Sequence, residues 1–361
     1  MHPFLRPASG ILLPLLLSAA GASAETTVSG LVDLYAGSLR YSGDTTSRTV
    51  VNSNGMTTSW IGFHSSEDLG SGLRADVAVS GFLRADTGAS GRFAAPPETM
   101  WSREAFVSLT GGFGTIALGQ NLAPHFLPAV LFNPFGNSYT LSPLNLHMDV
   151  PLFNASNWTN SVGGDTGWSN QVLYTSPTLG GATVNLHYQP GETAGKSRRN
   201  VGANVLYAAG PLALTAFAQR LEVNNPLDLT PGVVQAGTVA PFASGLTAAR
   251  QNAWMAGASY DFGIAKGYAT YGRSSHDIDL VDRTASLGAS VPLGLGKIMA
   301  GWADTRRSGA AFGPRQKRDT VSAGYDYDLS KRSDLYAVVM NDRISGQGSG
   351  TSLALGMRQR F

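Results

Sequence analysis

The sequence contains no cysteine. In an exported chain this excludes a disulfide scaffold and any thiolate metal site. It also lacks a long apolar run: beyond its first residues nothing approaches the roughly 18 apolar residues of a transmembrane helix. Excess charge is small, with 26 Lys and Arg against 24 Asp and Glu, both signs scattered. That leaves no basic footprint for nucleic acid. Mean hydropathy is close to zero, which still allows a membrane β-barrel, because alternating strands average to neutral. What the chain has in quantity is glycine, 44 residues, which suits many tight turns and few helices.

The first residues read as an export signal. Arg6 lies in a short basic start, residues 10–20 are apolar apart from Ser18, and Ala22-Ser23-Ala24 is a small-x-small cleavage site. The run is too short for an anchor and is broken by Pro14. Cleavage is expected after Ala24, leaving residues 25–361 as a single domain, since no linker or composition shift divides them.

The last segment, residues 351–361, alternates with a period of two. Leu353, Leu355, Met357 and Phe361 share one face; Ser352, Ala354, Arg358 and Arg360 share the other. Chain ends usually fray, whereas a closed barrel pairs its last strand with its first. Sixteen strand-like stretches follow one another from 27–41 to 351–361. Short turns, such as 68–72, 111–112, 261–263 and 292–296, alternate with long polar loops at 42–55, 86–100, 121–167 and 222–249. An even strand number with short turns at one end and long loops at the other is the pattern of an outer-membrane barrel. The expected fold is therefore an all-β, transmembrane antiparallel β-barrel of 16 strands. Alternation is blurred in residues 101–110 and 335–340, where interior packing or subunit contact is expected.

Five segments resemble the trimeric sixteen-stranded porins of Gram-negative outer membranes, nearest their β-proteobacterial branch. They are TTVSGLVDLYAG (26–37), SWIGFHSSEDLGSGLRADVAVSGF (59–82), SREAFVSLTGGFGTIALGQ (102–120), SNQVLYTSPTLGGATVNLHY (169–188) and YDYDLSKRSDLY (325–336), completed by the closing Phe361. The resemblance implies a homotrimer with one pore per subunit and a long third loop folded into the pore. It also implies wall arginines opposite loop acids, contact with outer-membrane lipid and lipopolysaccharide, and Phe361 as a signal to the assembly machinery. No cofactor is implied.

The resemblance places the family's pore arginine on Arg103 and an inward acid on Asp33. Alternation turns Arg74 and Arg84 inward as well. Two family arginines are replaced, by Trp60 and His64, and another falls near Trp168. The third loop has no Lys or Arg and only two acids, Asp149 and Asp165. Asn133 and Phe135 stand in a stretch where the family often carries an acid. The loop aromatics, Phe126, Phe132, Phe135, Tyr139, Phe153 and Trp158, either anchor the loop in a small core of its own or line a charge-poor constriction.

These readings lead to passive diffusion of small hydrophilic solutes and ions through a water-filled channel in the outer membrane. A channel preferring neutral, aromatic or sugar-like solutes is the alternative, and surface loops could also make an adhesin or phage receptor. A barrel enzyme finds no support: there is no GxSxG or zinc motif. Ser274 and Ser275 beside His276 make no triad, and His276, Asp277, Asp279 and Asp282 in a surface loop are not expected to bind metal.

Overall fold

Strands that alternate apolar and polar residues need different surroundings on their two faces. In the computed structural model, which describes residues 24–92, 98–148, 165–192, 194–195, 197–223, 250–277, 279–309 and 315–361, the apolar face points outward and the polar face inward. On the last strand Leu353, Leu355 and Met357 are exposed while Ser352, Ala354 and Arg358 are buried. This is inside-out relative to a protein in water and correct for a barrel in lipid.

The strands are β1 (Ala24–Leu39), β2 (Arg48–Ser53), β3 (Trp60–Gly70), β4 (Leu73–Arg84), β5 (Ala89–Ser90), β6 (Glu104–Gly111), β7 (Gly114–Leu122), β8 (Gly167–Thr175) and β9 (Ala182–Pro190). They continue with β10 (Arg199–Ala209), β11 (Leu212–Leu221), β12 (Gln251–Asp261), β13 (Lys266–His276), β14 (Leu280–Leu293), β15 (Gly296–Ser308), β16 (Gln316–Asp328), β17 (Ser333–Ile344) and β18 (Gly350–Arg360). Two short helices, α1 (Phe126–Leu131) and α2 (Pro143–Met148), interrupt the longest loop. Neighbouring strands pair antiparallel all the way round. β2 and β3 both pair with β1 and together form one stave, and β5 is a two-residue arm, so the wall has 16 staves.

The barrel closes where β1 meets β18, from Leu31 opposite Arg360 to Ser38 opposite Leu353. Phe361 extends this seam, exchanging two backbone hydrogen bonds of 3.1 Å with Gly30. The expected loop 42–55 needs correction, because residues 48–53 form β2. Their Thr-Val-Val run pairs with Val50 opposite Gly37 on β1. The blurred alternation at 335–340 also has a cause: inward Tyr336, Val338 and Met340 are apolar because they face the loop inside the barrel.

That loop crosses the lumen. Phe135, Leu141 and Leu146 pack on Tyr35, Leu39, Met299, Tyr336, Val338 and Met340. Leu144 and Met148 pack on Phe217, Ala253 and Met255. Each fully buried side chain of this size contributes about 1.5–3 kcal/mol. The wall leaves slots for the loop at inward glycines. A Cβ on Gly288 would meet Pro134 at 2.5 Å, and one on Gly202 would meet Pro124 at 2.5 Å. Gly288→Val is therefore expected to lift the loop from β14 and β15 at a cost of about 1–3 kcal/mol. A lower urea midpoint and faster protease nicking within residues 123–148 would show it; a variant as resistant as the parent would refute the slot.

Candidate constriction site

Three sets of contacts fix the loop across the lumen. At its start, Asn204 Nδ2 donates to the Pro124 carbonyl (2.8 Å), and His125 Nδ1 lies 3.2 Å from Gln219 Oε1. In the middle, Ser138 Oγ donates to Gly55 O (2.7 Å), Thr140 Oγ1 to Asn54 O (2.8 Å) and Ser322 Oγ to Leu141 O (2.7 Å). At α2, His147 holds Thr305 Oγ1 at 2.9 Å and Thr320 Oγ1 at 2.8 Å through its two ring nitrogens. Arg318 donates to Leu146 O (2.9 Å) and to both Asp342 oxygens (2.9 and 3.1 Å). Arg318 and Asp342 are wholly buried.

Between this loop and β3, β4 and β6 lies a narrow space of ≈ 50 Å³ lined by Trp60, Phe82, Arg92, Arg103, Phe126 and Tyr139, among others. The Arg103 guanidinium stacks 4.0 Å from the centre of the Trp60 ring and donates to Glu104 (2.7 Å) and Ser80 (3.0 Å). Arg92 stacks 4.6 Å over Phe82 and is forked between Glu98 and Asp165, with Nη1 2.7 Å from Asp165. Burial alone would lower the Arg92 pKa; the Asp165 and Glu98 carboxylates outweigh it and hold the guanidinium above its ordinary value. Both cations at the narrowing are thus matched by carboxylates and faced by rings.

Toward the short-turn end a wider cavity of ≈ 470 Å³ opens below the loop. His64 and Arg74 line it, Asp76 lies 3.5 Å from His64 Nε2 and 3.1 Å from Arg74 Nε, and Asn185, His187 and Asn204 form its far wall. The inner face of β8–β12 carries neutral side chains in succession: Gln171, Asn185, His187, Gln189, Asn200, Asn204, Gln219 and Gln251. They bond one another, as in Asn185 to Asn204 (2.8 Å) and Asn200 to Gln189 (2.6 Å). Across the barrel, β14–β18 carry the ion pairs Arg307–Asp282, Arg318–Asp342 and Arg358–Asp334.

The structure brings Trp60 and Arg103 together and leaves His64 and Arg74 in the lower cavity. Arg84 ends β4, half-buried, outside the lining of the narrow space. Five expected pore positions are buried rather than presented to an open lumen. Asp33 accepts the backbone N–H groups of Met56 (2.8 Å) and Thr57 (2.6 Å) and the Tyr336 hydroxyl (2.5 Å), so it staples the break between β2 and β3. Asn133 caps its own loop, bonding Ala129 O and Phe135 N. Phe135 belongs to the loop core, Asp165 is spent on Arg92, and Trp168 is sealed against Ala123 and Leu221. Asp149, Phe153 and Trp158 lie outside the described residues. Sequence reading missed Glu98, Glu104, the Arg318–Asp342–His147 clamp and the amide run. For the amide run a signal existed, since Asn185, His187 and Gln189 stand at successive inward positions of β9.

A family model described as Gram-negative porin matches residues 12–347. The chain belongs to the Gram-negative porin family. Outer membrane porin protein 32 of Delftia acidovorans is 28% identical over 336 residues, covering 88% of this chain and 84% of the relative. An outer membrane porin protein of Bordetella pertussis is 23% identical over 83% of this chain and 81% of its own length. Among solved structures, the anion-selective porin from Comamonas acidovorans superposes with a TM-score of 0.72 at 24% identity, over 94% of this chain and 100% of that one. OmpT of Vibrio cholerae in its trimer form gives 0.66 at 14% identity, over 94% and 100%. This porin is an outer-membrane channel for passive diffusion and not an enzyme.

Proposed function

We propose that this porin passes small neutral hydrophilic solutes with weak ion selectivity. The observation that carries the reading is the neutralised constriction: Arg103 is bonded to Glu104, and Arg92 to Glu98 and Asp165. A filter separates ions by unbalanced charge along its path, and here rings and paired charges surround the narrowing. The test is a reversal potential in a salt gradient across a planar bilayer. A value near zero is expected, with comparable uptake of neutral sugars and amino acids in liposome swelling; near-ideal selectivity for either ion sign refutes the reading.

Glu104→Gln unbalances Arg103, whose side chain is a quarter exposed. A unit charge about 4 Å from a passing ion is worth roughly 1 kcal/mol in water. Acting with opposite sign on the two ions, it is expected to raise the anion-to-cation permeability ratio by up to about thirtyfold, and an unchanged reversal potential would count against the balance. Anion selectivity, the property named for the Comamonas porin, is the second reading, favoured by Arg74, whose side chain is 55% exposed. Trimeric assembly, export with cleavage after Ala24 and use of Phe361 by the assembly machinery complete the proposal. A trimer band before heating and three-step conductance closures support the first. Amino-terminal sequencing that finds Glu25 supports the second. Lost insertion on deleting Phe361 supports the third.

A further inference from the structure

The wall of the cavity below the loop is crossed by one row of inward residues, each opposite the next on the neighbouring strand. They are Asp76 on β4, Ser108 on β6, Ala117 on β7, Leu173 on β8 and His187 on β9. At about 4.8 Å per strand the row covers roughly 19 Å of wall. Its ends are polar and its middle is apolar. Phe106 on β6 and Leu206 on β10 widen that apolar floor. Phe106, Leu173 and Leu206 join none of the buried cores that hold the loop, and Phe106 and Leu206 are only half-buried. Apolar surface left in water costs about 25 cal/mol per Å², so this floor favours a solute that brings an apolar group of its own.

The two polar ends differ. At the far end neutral groups satisfy one another. Thr175 Oγ1 donates to Asn185 (2.6 Å), Asn185 to Asn204 (2.8 Å) and Asn204 to the Pro124 carbonyl (2.8 Å). At the near end the bonding is incomplete. Arg74 donates through Nε to Asp76 (3.1 Å), and among the described residues its two Nη atoms have no hydrogen-bond partner. Asp76 is only 5% exposed, yet its Oδ1 accepts no hydrogen bond. A buried acceptor left without a donor is costly. The oxygen lies 3.5 Å from Nε2 of His64, whose side chain is 46% exposed and can turn aside into the lumen.

With His64 neutral, the charges at this end sum to zero: a guanidinium with open donors beside a carboxylate with an open acceptor. The matching group holds an anion and a cation side by side. A lone carboxylate would engage Arg74 and leave Asp76 unmet, a lone amine would do the reverse, and a sugar carries neither charge. An α-amino acid carries both on one carbon. We propose that the lower cavity is a binding station for α-amino acids with apolar or aromatic side chains. The carboxylate takes the Arg74 Nη pair, a bidentate match. The ammonium donates to Asp76 Oδ1 and Ser108 Oγ once His64 turns aside, and the side chain lies on Phe106, Leu173 and Leu206. The cavity, ≈ 470 Å³, falls in the range of small-molecule sites, about 300–1,000 Å³. This station rests on the reading of the pore as a path for solutes without net charge, and narrows it.

The test is saturation-transfer NMR on the full-length porin refolded in detergent. It is titrated with leucine, phenylalanine and glycine, and with 4-methylpentanoate and 3-methylbutylamine, which are leucine without its ammonium and without its carboxylate. Leucine and phenylalanine are expected to half-saturate at concentrations about fivefold or more below glycine and both single-charge analogues. R74S/D76S should raise the half-saturating concentration of leucine about fivefold, two exposed charge contacts at their usual strength. L206S should bring leucine toward glycine and leave glycine unchanged. Equal binding of leucine and glycine, equal binding of leucine and 4-methylpentanoate, or no change in R74S/D76S overturns the proposal. The ligand comparison on the unaltered porin decides even where a variant fails to refold. The reversal potential of the same preparation reads the underlying function separately. A value near zero without leucine binding removes the station alone; strong ion selectivity with leucine binding keeps the station and removes the neutral-solute reading.

Discussion

Arg318→Ala is expected to raise single-channel conductance and to destabilise the porin by about 3–5 kcal/mol, the usual cost of removing one partner from a buried ion pair. Arg318 does two separable things. Its Nε and Nη2 neutralise Asp342, and its Nη1 holds the Leu146 carbonyl at 2.9 Å. Alanine leaves Asp342 buried with only neutral donors, Thr320 Oγ1 (2.6 Å) and Ser42 N (3.1 Å). It also cuts the charged tether at the carboxyl end of α2, leaving His147 and its two threonines to hold the helix. Equilibrium unfolding in urea reads the first loss, and conductance with its open-channel noise reads the second. Arg318→Lys keeps the charge but cannot span Asp342 and Leu146 together, so it should recover stability more than it recovers quiet conductance. The double variant R318L/D342L separates the two further. Removing both charges relieves the buried carboxylate and should regain most of the stability, yet α2 stays untethered and conductance stays high. Parental conductance in all three variants would show that packing alone holds the loop.

The wall was legible in the sequence because a period of two, punctuated by short turns, is a direct consequence of strand geometry. β2 was not, because a six-residue strand in a polar loop has too few turns of the pattern to stand out, and its register depends on β1. Asp33, Phe135 and Trp168 show the limit at the site. Alternation tells which side of the wall a residue faces; it does not tell whether that side is open water or the back of an inserted loop. Asp33 and Arg103 both point inward, yet one is sealed and the other lies along the narrowing. The pairing of Arg92 with Glu98 and Asp165 was beyond reach for another reason. It joins two long loops whose approach is set by the packing of residues 123–148, and no local pattern encodes it. The choice between anchoring and lining for the loop aromatics is decided for Phe135 by Pro134 and Phe135 seating against Gly288 and Gly301.

Asp33→Ala carries the sharpest distinction between a pore residue and a structural one. The carboxylate is fully buried and gathers Gly55 N (3.3 Å), Met56 N (2.8 Å), Thr57 N (2.6 Å) and the Tyr336 hydroxyl (2.5 Å). The three backbone donors belong to the break between β2 and β3, Tyr336 comes from β17, and β1 pairs with β2 and β3 as well as with β18 at the seam. Alanine orphans these donors in a dry interior, at about 1–3 kcal/mol for each that finds no substitute. A fall of several kcal/mol in unfolding free energy is expected, on the order of the Arg318 loss. Asp33→Asn keeps one acceptor oxygen but turns an N–H₂ toward backbone donors, so it should remain well below the parent. Tyr336→Phe removes one of the four bonds and should cost about 1 kcal/mol. Channels that do form should keep the parent's conductance and reversal potential, because Asp33 has no surface on the solute path. The opposite result, a stable Asp33→Ala barrel with altered ion selectivity, would return Asp33 to the pore and require the break at residues 54–59 to be held by the Ser59–Asn54 bonds and the Ser138 and Thr140 hydroxyls.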